Sequence, residues 1–408
     1  MLANRKYYFI EKLSCLLFYA FIISNFLPSN LRNIIAILLL ILSIYYVYKE
    51  KIWLTIDTDA LKLLRSYIYF FLIILFFGIY HNSPLQVLDT YSRFILVLPL
   101  FYLFSHVKIN QSYFVITIII TSLVVGITSL YLYIDRDAGI NRISGFTNVA
   151  ITFGNLSMTI FLLGLISLMQ ENTNRMKILL IISMILSLLA WSFSLSKGSL
   201  IGLTIALVYL IFTRELTLSK RKLIAVLILL ISFIYLSPAK QSLDRFFYDM
   251  TNSTNYLSEI YKDEDISFST KERVFLLLNA KEIINNNFLT GIGFGKFKEH
   301  IIEETQSVNR NYGMGHHDHV HNDFLDVWVK AGVLSTLALI YFFFIHLKVL
   351  IKHRREKGDF FSLVAIVLLL SQIGFMMTQS QFAHHQPTLF FLILLIVSVS
   401  QVFLKSRD

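Results

Sequence analysis

The chain has 408 residues, 56% of them hydrophobic and 15% charged, with a mean hydropathy of +0.65 and a formal net charge of +10. A soluble domain carries about 25% charged residues and must leave many of its residues facing water, so a soluble enzyme is excluded and lipid is the solvent that fits. In a soluble chain the positive excess would point to nucleic acid; here it reads as Lys and Arg collected on the cytoplasmic side of a membrane, and no nucleic-acid partner is expected.

A spanning helix needs roughly 17–25 mostly apolar residues. About twelve such runs are predicted, centred near Phe18, Leu40, Phe71, Leu98, Ile118, Phe161, Met184, Ile205, Leu229, Ile340, Leu368 and Ile393. The first ends without a small-residue cleavage site (Phe26-Leu27-Pro28-Ser29) and is read as a span rather than a removed leader. It holds the single cysteine, Cys15, so no intramolecular disulfide can form. The seventh and eighth runs are separated only by a tight turn at Lys197-Gly198.

Cations alternate from loop to loop. One side carries Arg5, Lys6, Lys12, Lys49, Lys51, Lys62 and Arg65, then Lys108, Arg175, Lys177, Arg214 and Lys220-Arg221-Lys222, and finally the cluster from Lys348 to Lys357 with Lys405 and Arg407. The opposite short loops carry only Arg32, Arg93, Arg136, Arg142 and Lys197. This bias predicts both termini in the cytoplasm and an even number of spans. The expected organisation is spans 1–9 over residues 1–237, a partly helical outer loop over 238–330, and spans 10–12 over 331–408.

That loop exceeds ordinary connections and is therefore expected to be functional and partly folded. Gln241–Met250 and Lys271–Asn285 both look helical. In the second, Leu276, Leu277, Ala280, Ile283 and Ile284 share a stripe, while Lys271, Glu272, Asn279 and Glu282 face away and Thr270 is placed to cap. Arg273 falls on the apolar side of this wheel, an odd place for a merely solvated cation. Gly291-Ile292-Gly293-Phe294-Gly295 then breaks the helix.

The loop ends in Gly315-His316-His317-Asp318-His319-Val320-His321-Asn322-Asp323. Histidines along one strip seldom close a metal's coordination shell by themselves, and no cysteine is available there, so no metal is expected. Neutral imidazole suits proton transfer near neutral pH. His319 and His321 point the same way only if the strip is extended. His384 and His385 lie in the last outer turn, lining the same cavity or simply forming a polar turn at the interface. Three further outward-facing cations, Arg142, Lys197 and Arg273, are not called for by charge asymmetry. Headgroup snorkelling explains each singly; together, beside a histidine strip, they suit a diphosphate.

These features resemble the O-antigen ligase family of Gram-negative bacteria. The shared elements are about twelve spans, a large outer loop before the tenth, and His321-Asn322 followed after nine residues by Gly332. Thr270-Lys271-Glu272-Arg273 running on to Gly291–Gly295, Asn141-Arg142-Ile143-Ser144, and Ser196-Lys197-Gly198 are similar to further family segments. Many members carry arginine where this chain has Lys197, so the charge survives but the bidentate fork does not. The resemblance implies an all-α, GT-C-like glycosyltransferase of the bacterial inner membrane with a periplasmic active site. It would move a glycan from undecaprenyl diphosphate to a sugar hydroxyl of lipid A–core, with inversion and without a cofactor. His321 would be the base, with His319 either assisting it or serving as the base itself, and Asn322 assisting. Arg142, Lys197 and Arg273 would hold the diphosphate in place of a metal, although the loop contains a literal Asp263-Glu264-Asp265.

Three alternatives stay open. An O-antigen polymerase of the same superfamily often shows an Arg, ten intervening residues and then Gly, whereas Phe153 and Ile284 stand eleven positions after Arg142 and Arg273. A protein O-glycan ligase would use the same machinery on a different acceptor. A transporter or flippase would place ionisable groups near mid-membrane, where these apolar runs carry almost none.

Overall fold

A computed structural model describes residues 2–404 except 29, 51–55, 136–141, 148, 217–234, 236, 239, 241–242, 245–246, 249–250, 252–266 and 308–316; for 2–8, 50 and 268 it describes the backbone alone. The protein is all-α. The helices are α1 (Leu2–Ser24), α2 (Leu31–Glu50), α3 (Thr58–Tyr80), α4 (Asp89–Leu96), α5 (Leu98–Phe104), α6 (Gln111–Asp135) and α7 (Ala150–Gln170). They continue with α8 (Asn174–Ser194), α9 (Gly198–Phe212), α10 (Phe268–Asn286), α11 (Lys296–Ser307), α12 (Asp323–Lys357), α13 (Phe360–Met376) and α14 (His385–Val402).

Helices stand at every expected span but the ninth, which lies outside the described residues, as do Asp263-Glu264-Asp265 and much of Gln241–Met250. Among the described residues, eight helical segments are long and apolar enough to cross a membrane, and α9 and α13 are shorter apolar helices. The protein is thus a multi-pass membrane protein. The fourth expected span breaks between α4 and α5 because Pro99, at the start of α5, has no N–H to donate to the preceding turn. Short polar caps start two others. The Asp57 carboxylate accepts from the Asp59 and Ala60 amides to start α3, and Asp359 accepts from the Ser362 amide to start α13.

α7 packs against α8, α12 against α3, and α13 against α9. α7 and α14 are enclosed on nearly all sides. Outward-facing positions are apolar instead of polar: Leu334, Leu337, Tyr341 and Phe344 form a stripe along α12, and Ile34, Ile37, Ile41 and Ile44 another along α2. A helix apolar towards both bundle and surroundings is stable only where the surroundings are lipid.

A second, smaller core lies beside the bundle. Leu276, Ala280 and Ile283 of α10 meet Phe297 and Ile301 of α11, with Val320 and Val329 closing it. Two expectations for α10 are corrected here. Leu277 is exposed, whereas Asn279 is buried and donates to the Phe275 carbonyl. Ser267 holds the cap position, so Thr270 lies in the first turn.

α12 starts at Asp323, so residues 238–330 include its first two turns, and it kinks at Gly332 (φ 73°, ψ 176°). This conformation is essentially reserved for glycine, and a Cβ there would lie 2.0 Å from the Leu289 carbonyl oxygen. The kink frees the carbonyls of Val329 and Lys330 from the helix ladder. The Ile292 and Gly293 amides donate to them at 2.8 and 3.0 Å, and the Val333 amide donates to the Phe288 carbonyl. The glycine-rich segment after α10 is thereby stitched into the top of a spanning helix.

Candidate active site

Three turns meet at the N-terminal end of α12. Asn322 begins the helix, its side-chain oxygen accepting from the Phe324 and Leu325 amides while its amide nitrogen donates to the Met377 carbonyl at 3.3 Å. The fully buried Asp323 carboxylate accepts from the Gln381 and Phe382 amides at 2.7 and 3.0 Å, fastening the turn between α13 and α14. Buried Asp326 accepts from the Val320 amide through one oxygen and pairs with Lys330 Nζ at 2.8 Å through the other. These two carboxylates therefore hold the backbone on either side of the histidines. The turn from Ser194 to Gly198 docks on Thr378, so closely that a Cβ on Gly198 would meet Thr378 Oγ1 at 2.0 Å.

His321 adopts φ 59°, a left-handed conformation unfavourable for a residue with a side chain. Its ring lies 4.6 Å from that of His319 and 5.3 Å from that of His317; the His319 ring is 5.3 Å from that of His384. His321 Nδ1 is 2.5 Å from Gln379 Oε1, and Gln379 Nε2 is 2.9 Å from His384 Nε2. The amide decides the proton positions. Burial holds His384 down to about 4, so this neutral ring accepts from the Gln379 amide N–H. Gln379 Oε1 must then accept from His321 Nδ1–H, which leaves the Nε2 lone pair free.

Burial, then the charges of His319 and Arg273, push His321 itself down to about 3, opposed by its bond to Gln379. The ring is therefore neutral at physiological pH. His317 pairs with the Glu272 carboxylate, which raises the imidazole. His319 is buried, with Nδ1 2.5 Å from Asp318 Oδ1.

Arg142 and Arg273 lie within electrostatic reach of one another, and Arg273 lies within reach of this cluster. Arg273 is held below the usual arginine value by burial, opposed by Glu272. The Arg142 guanidinium is also lowered, first by desolvation and then by Arg273. Arg142 Nε donates to the Ser194 carbonyl at 3.0 Å, which ties it to the turn that carries Lys197. For Lys197 the convergence is one of backbone: it precedes Gly198, which packs on Thr378, the neighbour of Gln379.

Glu272, expected to face away, instead turns towards His317, and His384 joins the cluster while His385 remains exposed near Asp89. Gln379, Asp323 and Asp326 were not singled out from sequence. The available signal was two carboxylates three residues apart, directly after His321-Asn322, at the start of an otherwise apolar run. Glu272, His317 and His321 offer ligand atoms all within 4.8 Å of one another, a set able to hold a cation of the zinc type.

A family model described as O-antigen ligase matches residues 182–340. This segment belongs to the O-antigen ligase family. It contains Lys197, Arg273 and the stretch from His321 to Gly332, whereas Arg142 lies before it. The chain is also similar to a protein of Haemophilus influenzae described only as uncharacterized, at 22% identity over 372 residues, covering 88% of this chain and 90% of that one.

Proposed function

We propose that this protein transfers O-antigen, or a similar glycan, from undecaprenyl diphosphate to a sugar hydroxyl of lipid A–core at the periplasmic face of the bacterial inner membrane. The observation that carries the reading is the His321–Gln379 pair beside Arg273: a neutral imidazole with one nitrogen bound and the other free, next to a guanidinium suited to phosphate. The family match over residues 182–340 and the apolar helices support it.

In this reading His321 Nε2 takes the proton of the acceptor hydroxyl as its oxygen attacks the anomeric carbon. The bond from that carbon to the diphosphate oxygen breaks on the opposite face, so the configuration inverts. Undecaprenyl diphosphate leaves as an anion, and Arg142, Arg273 and Lys197 stabilise its charge in place of a metal ion. His319 and Asn322 assist, Asn322 by capping the helix that presents His321. Donor binding and base strength are coupled: the diphosphate offsets the Arg273 charge that weakens His321, so the base gains basicity when the donor arrives.

The test is lipopolysaccharide from a deletion strain complemented with wild type or His321→Ala. Restoration of the long-chain ladder by wild type alone, with lipid-linked glycan accumulating in the mutant, is the expected result. A single repeat on the core in the deletion strain would make the protein a polymerase. A ladder that never depended on the gene would remove the reading.

A further inference from the structure

A cavity of about 510 Å³ opens at the start of α14, and His385 is the one histidine that lines it. It lies between α2, the α4–α5 segment and α14. One end is polar: Arg32 at the start of α2, Arg93 and Asp89 of α4, and His385 at the start of α14. The rest is lined by apolar side chains from the same helices, among them Ile37, Leu40, Leu389 and Ile393. From Arg32 to Leu40 the cavity runs eight residues along α2, about 12 Å at the rise of an α-helix. Its polar end therefore sits where two spanning helices begin, and its apolar end lies towards the membrane interior.

The charges at that end do not cancel. Asp89 Oδ2 pairs with Arg93 Nη2 at 3.0 Å and faces His385 Nδ1 at 3.4 Å. Arg32 has no ion-pair partner among the described residues. Arg93 Nη1 is buried and has no hydrogen-bond partner among them, which marks a missing acceptor. Two guanidinium groups against one carboxylate leave a net positive charge at headgroup depth. A guanidinium in such a place is costly unless it binds something, and its fork matches a phosphate. A cavity of this size, mostly apolar with a few converging polar groups, has the character of a ligand site.

We propose that this cavity binds one anionic membrane lipid, with its phosphate on Arg32 and Arg93 Nη1 and an acyl chain along Ile37, Leu40, Leu389 and Ile393. The site is independent of the transfer reaction proposed above and separate from its diphosphate cations. Neither half of the cavity suffices: the apolar part excludes a free ion as the natural occupant, and the arginine pair selects against a lipid of zero net charge.

The test uses the full chain purified in detergent, titrated separately with dioleoylphosphatidylglycerol, dioleoylphosphatidylcholine and sodium phosphate. Retained lipid is counted by native mass spectrometry, and thermal unfolding is the second readout. One phosphatidylglycerol per chain is expected to be retained, about tenfold more tightly than phosphatidylcholine. Arg32→Ala with Arg93→Gln should weaken phosphatidylglycerol retention by about tenfold or more. Leu40→Trp, which fills the chain channel and leaves both arginines, should weaken it as well. Leu40→Trp and Arg32→Ala alone, required to unfold at the wild-type temperature without lipid, separate binding from folding. Equal retention of phosphatidylcholine, or unchanged phosphatidylglycerol retention in both kinds of variant, overturns the proposal. So does stabilisation by sodium phosphate equal to that by phosphatidylglycerol and insensitive to Leu40→Trp, which would make this an ion site.

Discussion

Replacing Gln379 separates the position of His321 from its presence. In the resting site Gln379 Oε1 accepts from His321 Nδ1–H, which fixes the tautomer. In the proposed reaction Nε2 takes up a proton, the ring becomes cationic, and that same hydrogen bond becomes charge-assisted, worth about 1.5–3 kcal/mol. The neutral bond already exists in the ground state, so Gln379→Ala loses only the increment, about 1–1.5 kcal/mol, in the transition state, and kcat falls roughly five- to tenfold while KM changes little. Gln379→Glu puts a carboxylate against the ring and raises the His321 pKa from its depressed value near 3. A base acts when unprotonated, so its rate is lost as pH falls through that pKa. The acid limb, far below neutral in wild type, should therefore move up towards mildly acidic pH in Gln379→Glu. The assay is transfer from synthetic lipid-linked glycan to purified acceptor, with initial rates measured across pH. Activity of Gln379→Ala within about twofold of wild type, or an unmoved acid limb in Gln379→Glu, would refute the pairing as the device that prepares His321.

Arg273→Ala should lower kcat/KM by about two to three orders of magnitude, the usual cost of removing one transition-state donor. Arg273→Lys should retain part of the activity, since a point charge replaces a fork, and Lys197→Arg should be tolerated. Full activity of Arg273→Ala in the same assay would dismantle the phosphate clamp. Gly332→Ala should cost about 3 kcal/mol or more, because a Cβ there meets the Leu289 carbonyl oxygen at 2.0 Å in a backbone conformation that disfavours it. Thermal unfolding in detergent measures it, and a wild-type melting temperature would contradict the kinked geometry. Chelation should leave transfer unchanged, whereas added zinc should inhibit by recruiting Glu272, His317 and His321. Inhibition that persists undiminished in Glu272→Gln with His317→Ala would place the zinc elsewhere.

Much of the architecture was legible because lipid imposes a simple rule. Every spanning segment must satisfy its own backbone and show apolar side chains outward, so runs such as Gln111–Asp135 and Ala150–Gln170 announce themselves in one dimension. The interruption at Pro99 was not read from the sequence, where Leu98 stood at the centre of one unbroken span, although its cause, a missing N–H, is local. The wheel of α10 was less reliable. Its stripe placed Leu276, Ala280 and Ile283 correctly but also Leu277, which is exposed, because a small lobe packed by a second helix and two loop residues buries a narrower face than periodicity suggests.

For the candidate site, the sequence by itself determined a vocabulary: four histidines within six residues before a spanning helix, an asparagine suited to cap it, a glycine after nine further residues, and cations on the side where charge asymmetry does not ask for them. Tertiary structure alone decided which of these groups meet. Gln379 lies 58 residues from His321 and carries no local signature, yet it sets the ring's proton because Asp323 fastens the 381–382 backbone beside it. Asp326 and Lys330 look like a costly pair in an apolar helix until Val320 is seen to donate to the same carboxylate. The spacing to Gly332 acquires a meaning only when the carbonyls freed by its kink receive the amides of Ile292 and Gly293. Periodicity records how each segment meets its solvent. Contacts between segments far apart in sequence leave no period to read, and it is those contacts that turn a polar strip into a site.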